Sequence, residues 1–76
     1  MALIPVTFEY LGKTYKATFS EMFIDKDTWY LRDNMGDCLG RLYKFPDRWE
    51  FYDGIPGNDL AELKEFFIQV VTAWYQ

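Results

Sequence analysis

Hydrophobic and polar residues alternate with a period of two along the beginning of the chain. Val6, Phe8 and Tyr10 are separated from one another by single polar residues. Such alternation is typical of a β-strand that has one buried face. The pattern resumes at Tyr15, after a short connection that contains Gly12. Two alternating segments joined in this way predict a β-hairpin.

Three more segments of this kind follow, separated by turn-forming residues, and the short connections favour an antiparallel meander. In the fourth strand, alternation places Tyr43 and Phe45 on the core side of the sheet. It places Leu42 and Lys44 on the other side. Gly40, inside the same strand, indicates a β-bulge or the close approach of another group. The predicted strands span about residues 4–11, 14–24, 28–33, 38–45 and 48–52.

The last part of the chain changes to the 3.6-residue period of an amphipathic helix. Asn58 or Asp59 can cap this helix, and Asp59 with Glu62 resembles a capping box, so the predicted helix spans about residues 59–75. One helix that follows a meander is expected to lie across one face of the sheet. We therefore predict a single α+β domain over residues 1–76, with an antiparallel meander of four to five strands and one C-terminal helix. The apolar stripe of the helix is Leu60, Leu63, Phe67, Val70, Val71 and Trp74.

The composition removes most enzymatic chemistry. The chain of 76 residues has no His and one Cys, and Ser20 is its single serine. Without His, the usual activation of a serine or cysteine nucleophile is missing, and so are most zinc sites. Asp33, Asn34 and Asp37 lack the spacing of a calcium loop and fit turn residues instead. We therefore expect no enzyme, with no catalytic, cofactor-binding or metal-binding residues.

The apolar runs, the single cysteine and the net charge indicate where the protein is located and which partners it can bind. No apolar run approaches the roughly 20 residues of a membrane-spanning helix, and residues 1–5 lack the features of a secretory signal. Cys38 is the single cysteine and cannot form an internal disulfide. These features predict a cytoplasmic protein with no membrane partner. Its 12 acidic and 8 basic side chains give a net charge of −4, which opposes binding to nucleic acid.

The predicted helix is apolar over a wider arc than contact with one sheet requires. A two-fold contact between two copies is the simplest way to bury exposed flanks of this kind. Coverage of the flanks by the twisted sheet, or by residues 1–4, is the alternative. We therefore predict a non-enzymatic interaction module that forms a homodimer, or binds another protein, through its helix. The candidate interface residues are Phe66, Ile68, Ala73, Trp74 and Tyr75.

The sheet face turned away from the helix supports an alternative function. Its predicted residues include cations and aromatic rings, a combination that holds single-stranded nucleic acid on many sheets. An ordinary solvated sheet face carries the same residue types. A small-molecule pocket between helix and sheet, lined by Tyr and Trp, is a third hypothesis. The candidate residues of the nucleic-acid face are Lys16, Tyr30, Arg32, Lys44 and Tyr52.

Overall fold

The fold is a five-stranded antiparallel sheet followed by one helix, which confirms the predicted α+β meander. The computed structural model describes residues 3–22, 24, 27–55 and 59–74, so the predicted helix residue Tyr75 lies outside the described residues. The strands are neighbours in the order β1-β2-β3-β4-β5. The elements are β1 (Leu3–Tyr10), β2 (Lys13–Glu21), β3 (Thr28–Asp33), β4 (Cys38–Lys44), β5 (Trp49–Asp53), a 3-10 turn (Leu60–Leu63) and α1 (Lys64–Trp74).

The hairpin between β1 and β2 closes through a two-residue turn. Leu11 and Gly12 have φ angles of 52° and 77°, which is the left-handed geometry of a type I′ turn. This turn fixes a register in which Phe8 lies opposite Tyr15, and their rings stack with centroids 5.2 Å apart. β2 ends at Glu21, three residues before the predicted end at residue 24.

Phe67 of α1 closes the hydrophobic core. Its side chain is fully buried, and its ring centroid lies 5.2 Å from that of Phe8 in β1 and 5.4 Å from that of Phe19 in β2. Phe51 in β5 is as close, at 5.1 Å. In a flat sheet, β1 and β5 would lie about 19 Å apart, because neighbouring strands are spaced by about 4.8 Å. The sheet therefore curls around the helix and brings both of its edge strands to one ring.

The helical segment begins with backbone N–H groups that are capped by side chains from the sheet. The N–H of Leu60 donates to Asp53 Oδ1 at 2.6 Å, and the N–H of Asp59 donates to the Tyr10 hydroxyl at 2.6 Å. The Asp59 side chain makes no capping hydrogen bond. The predicted capping box of Asp59 and Glu62 is therefore wrong, and the alternative predicted cap, Asn58, lies outside the described residues. The free N–H groups of a helix start need acceptors, and the ends of β5 and β1 supply them.

A β-bulge in β4 changes which of its side chains face the core. Leu31 pairs with Gly40, whereas Arg32 pairs with Cys38, so Leu39 is an extra residue in β4. An extra residue shifts the alternation of the strand by one position. Leu39 is nevertheless buried. If alternation is counted from Leu39, every later residue of β4 is therefore assigned to the wrong face of the sheet.

The predicted sides of β4 are corrected accordingly. Leu42 is fully buried and pairs with Phe51, although we expected it on the solvated side. Tyr43, which we assigned to the core, pairs with Glu50 on the side of the sheet that faces away from the helix. Phe45 stacks on the Tyr43 ring, with centroids 6.1 Å apart, and so lies on that side too.

Gly40 lies beside the bulge, where the Phe51 ring crosses β4. A Cβ atom at this position would be 2.8 Å from the carbonyl oxygen of Tyr52 and would also clash with the tip of the Phe51 ring. Glycine is the residue that leaves this space free, which agrees with the close approach predicted from its place inside a strand.

Replacing Asp53 by Ala is expected to lower the free energy of unfolding by about 1 kcal/mol, because the Leu60 N–H loses its acceptor. Replacing Asp59 by Ala is expected to change it by less than about 0.5 kcal/mol, because the Asp59 side chain makes no capping hydrogen bond. Urea unfolding of both variants measures the difference. A larger loss for Asp59→Ala than for Asp53→Ala would contradict the assignment of the cap.

Replacing Gly40 by Ala is expected to cost about 1–3 kcal/mol of stability through overpacking against Phe51. The cost should shrink in a Phe51→Leu background, because the shorter side chain frees part of the space. A double-mutant cycle by urea unfolding measures this coupling. An equal cost in both backgrounds would show that the Phe51 ring does not fill the space next to Gly40.

Candidate binding surfaces

The structure divides the five predicted interface residues of the helix into three groups. Phe66 and Trp74 are 39% and 51% exposed, and Ala73 is exposed as well. Ile68 is partly buried and packs against the core. Tyr75 lies outside the described residues. Phe66, Ala73 and Trp74 therefore form the apolar surface that α1 leaves uncovered, here called the helix flank.

The helix flank follows from the spacing of α1. Phe66 and Ala73 are seven residues apart, so they lie two turns apart on the same side of the helix. Trp74 follows Phe67 at the same spacing and continues the buried stripe, but half of its surface remains exposed. The Phe66 ring contacts the ring of buried Phe67, and the two centroids lie 6.0 Å apart. On the opposite side of α1, Ile68 is partly buried and packs against the core.

The sheet face away from α1 presents a row of side chains that crosses four strands. Directly paired residues of antiparallel strands point to the same face. Ser20 pairs with Tyr30, Tyr30 pairs with Arg41, and Arg41 pairs with Tyr52. Arg32 and Tyr43 flank this row two residues along their strands. We call the surface of Tyr30, Arg32, Arg41, Tyr43 and Tyr52 the outer face.

The aromatic rings and the guanidinium groups of the outer face touch one another. The Arg32 guanidinium carbon lies 5.3 Å from the Tyr30 ring centroid, and that of Arg41 lies 5.9 Å from the Tyr43 centroid. The rings of Tyr43 and Tyr52 meet edge to face at 5.3 Å. Tyr52 is 50% exposed. Such cation–π and ring contacts restrict the orientations of these side chains.

The rim of the outer face carries one cation that pairs with two carboxylates. Arg48 lies over the Phe45 ring, 4.5 Å from its centroid. It forms ion pairs with Asp47 at 3.0 Å and with Glu50 at 3.5 Å. Among the residues that the structure describes, Arg32 and Arg41 form no such ion pair, so their charges remain available on the surface.

Most of the residues predicted for a nucleic-acid face lie where we expected them. Tyr30, Arg32 and Tyr52 lie on the outer face. Lys16 is exposed on the same side of the sheet, where it pairs with Thr7. It also borders a groove of about 380 Å³ between the first hairpin and the loop that joins β3 to β4.

Lys44 lies on the opposite side of the sheet, which corrects its predicted position. It pairs with Trp49, and its Nζ lies 5.8 Å from the Trp49 ring centroid. Trp49 in turn stacks on buried Trp29, with centroids 5.5 Å apart. The shift of alternation at the bulge, which brought Leu42 into the core, also carried Lys44 to the helix side.

Sequence reasoning missed Arg41 and Tyr43, which are central to the outer face. The signal that could have found them is Arg41 itself. Strict alternation places this charged residue on the core side together with Tyr43, and an unpaired charge in a core is costly. Strict alternation in β4 would bury Arg41, and Gly40 lies directly before it inside the strand. Together these two features indicate a β-bulge at this point of the strand.

A cavity beside Lys44 is the feature closest to the third hypothesis, a small-molecule pocket. Its volume of about 260 Å³ lies below the about 300–1,000 Å³ of pockets that hold small molecules. It is lined by tryptophan, as expected, but by no tyrosine among the described residues. The lining residues are Glu21, Asp27, Trp29, Lys44, Trp49, Val71 and Thr72.

The acidic loop between β3 and β4 is a turn that satisfies its own backbone. Asp33 Oδ1 accepts hydrogen bonds from the N–H groups of Met35 and Asp37, both at 2.9 Å. This arrangement is the self-capping turn that the sequence predicts. Within residues 3–22, 24, 27–55 and 59–74, no group of three or more His, Cys, Asp and Glu residues is arranged to hold a metal ion. In the same residues, no helix is long and apolar enough to cross a membrane.

No protein-family model, no curated protein and no solved structure matches this chain. The function is therefore inferred from the contacts, burial and charges of its own residues.

Proposed function

We propose that this chain is a non-enzymatic interaction module that associates with a second copy of itself through the helix flank. The observation that carries the proposal is the exposure of Phe66 and Trp74, 39% and 51%, whereas Ile68 on the opposite side of the helix is partly buried against the core. Large aromatic side chains dominate the energetics of protein interfaces when they become buried. A two-fold contact buries the same flank on both copies at once.

The charges of the helix favour an antiparallel crossing of the two copies. Glu62 and Glu65 lie at the beginning of the helical segment, and the last turn of α1 carries no basic residue. A parallel arrangement would bring the four carboxylates of two copies together. An antiparallel arrangement places them beside the uncharged end that contains Ala73 and Trp74, which avoids this repulsion.

The size of the helix flank predicts a weak dimer. α1 has 11 residues, which corresponds to a length of about 16 Å. One flank of such a helix buries less than the about 1,200–2,000 Å² of a stable interface. We therefore expect a dissociation constant in the micromolar range or above. The proposal includes a cytoplasmic location, which is supported by the lone thiol of Cys38.

Replacing Phe66 by Glu is expected to abolish self-association, because it places a charge in the apolar contact. Trp74→Glu should have the same effect from the other end of the flank. Thr7→Glu is the matched control, because it adds the same charge on the far side of the sheet, opposite Lys16. Sedimentation velocity from micromolar to millimolar concentration measures the mass, and circular dichroism checks the fold.

A wild-type chain that remains a monomer throughout this range would overturn the proposal. So would Phe66→Glu and Trp74→Glu variants that stay folded and still associate as tightly as Thr7→Glu.

A further inference from the structure

We propose that the outer face is a second binding site, which holds single-stranded nucleic acid. In this site Tyr30 and Tyr52 each stack one base, and Arg41 contacts the phosphate that links the two nucleotides. The decisive juxtaposition is the pairing of Arg41 with Tyr30 on one side and with Tyr52 on the other. It places one cation between two rings across three neighbouring strands.

The aromatic side chains fit unstacked bases. Tyr30 belongs to β3 and Tyr52 to β5. These two strands are separated by one strand, so their backbones lie about 10 Å apart. A sheet that displays aromatic rings at such spacings stacks two or three bases of a single strand. Tyr43 supports Tyr52 edge to face and leaves half of the Tyr52 surface exposed. The ring is therefore oriented without a ligand and remains accessible.

The cations fit phosphate groups. Arg32 and Arg41 are exposed and, within the described residues, form no salt bridge. A guanidinium group over an aromatic ring keeps its N–H donors free at the edge for bidentate contact with phosphate oxygens. Lys16 adds a third cation on the same side of the sheet. Glu50 lies near the row and is paired with Arg48, which also pairs with Asp47, so one negative charge of these three side chains is not neutralised within the group.

The net charge of −4 opposes phosphate binding over the whole molecule, but part of the acidic charge lies away from the outer face. Asp59, Glu62 and Glu65 belong to the helical segment on the other side of the sheet. Surface charges are screened over about 10 Å at 0.1 M salt, so the charged groups nearest to a bound phosphate dominate its electrostatic interaction. Arg32 and Arg41 are the charged members of the outer face, whereas exposed Glu9, which pairs with Thr14, lies on the edge strand β1 on the same side of the sheet. At moderate salt the outer face therefore presents a local positive charge around its two arginines.

The shape of the surface favours a single strand over other anionic ligands. The sheet curls around α1, so its outer face is convex and cannot enclose a small molecule in the way a concave pocket does. Bases of a duplex are stacked on one another and are not accessible to tyrosine rings. An acidic peptide would pair with the arginines but would make no use of the three tyrosines. A chain that alternates planar bases with phosphates uses both.

The experiment measures binding of fluorescently labelled oligothymidine and oligouridine of about ten nucleotides by fluorescence anisotropy at 50 mM salt. Three phosphate contacts predict about 20-fold weaker binding when salt rises from 50 to 200 mM. Arg41→Gln should weaken binding at least about fivefold, and Tyr52→Thr should weaken it about 5- to 100-fold through loss of stacking. The two oligonucleotides show whether the site prefers DNA or RNA.

Lys44→Gln is the matched control, because it removes the same charge from the helix side of the sheet. It should leave binding within about twofold of wild type. Phe66→Glu should also retain binding, so failure of the dimer proposal and failure of this one are distinguishable. Thermal unfolding of each variant confirms that it is folded.

Four results would overturn the proposal. The first is no binding at 50 mM salt, and the second is an equal loss for Arg41→Gln and Lys44→Gln, which would indicate a diffuse charge effect. The third is a duplex that binds as tightly as the single strand. The fourth is competition by polyglutamate as effective as that by unlabelled oligonucleotide, which would assign the face to an acidic protein partner.

Discussion

The contact of Phe67 with rings from β1, β2 and β5 is the interaction on which the rest of the structure depends. A flat five-stranded sheet cannot bring its first and last strands to one side chain, so the sheet curls until both edges reach the helix. This curling makes the face away from α1 convex. It also leaves one side of α1 beyond the reach of the sheet, where Phe66 and Trp74 remain exposed. Both candidate surfaces thus follow from how one buried ring closes the core.

The bulge at Leu39 determines both which side chains of β4 enter the core and which lie on the outer face. Because Phe51 crosses β4 at Gly40, the strand has room for its ring only where a side chain is missing. The extra residue beside it moves Leu42 inward, under Phe51, and turns Arg41 and Tyr43 outward. The same irregularity therefore completes the hydrophobic core and creates the row of tyrosines and arginines on the outer face. A regular β4 would have left Arg41 buried and unpaired.

The sequence predicts the features that depend on neighbours along the chain. Alternation predicts the five strands, Gly12 indicates the first turn, and the 3.6-residue period predicts the C-terminal helix, which the structure describes as far as Trp74. What it does not predict depends on contacts between distant residues. The cap of the helical segment comes from Asp53 and Tyr10, which no local motif reveals. The side of β4 that faces the core depends on where Phe51 lies, and this is known only once β4 and β5 have paired.

The two proposed surfaces lie on opposite sides of the sheet, and this separation has a physical consequence. A contact through the helix flank leaves the outer face of each copy uncovered, so a dimer presents two such faces. When one strand is long enough to reach both, the second binding event becomes intramolecular and benefits from a high effective concentration. Such coupling strengthens overall binding by about 10²–10⁴ without any new contact. Nucleic acid that bridges both faces would also stabilise the dimer by the same free energy, because linkage between two binding equilibria is reciprocal. If both proposals hold, two individually weak contacts, a short helix flank and a row of two or three stacked bases, would combine into a tight assembly.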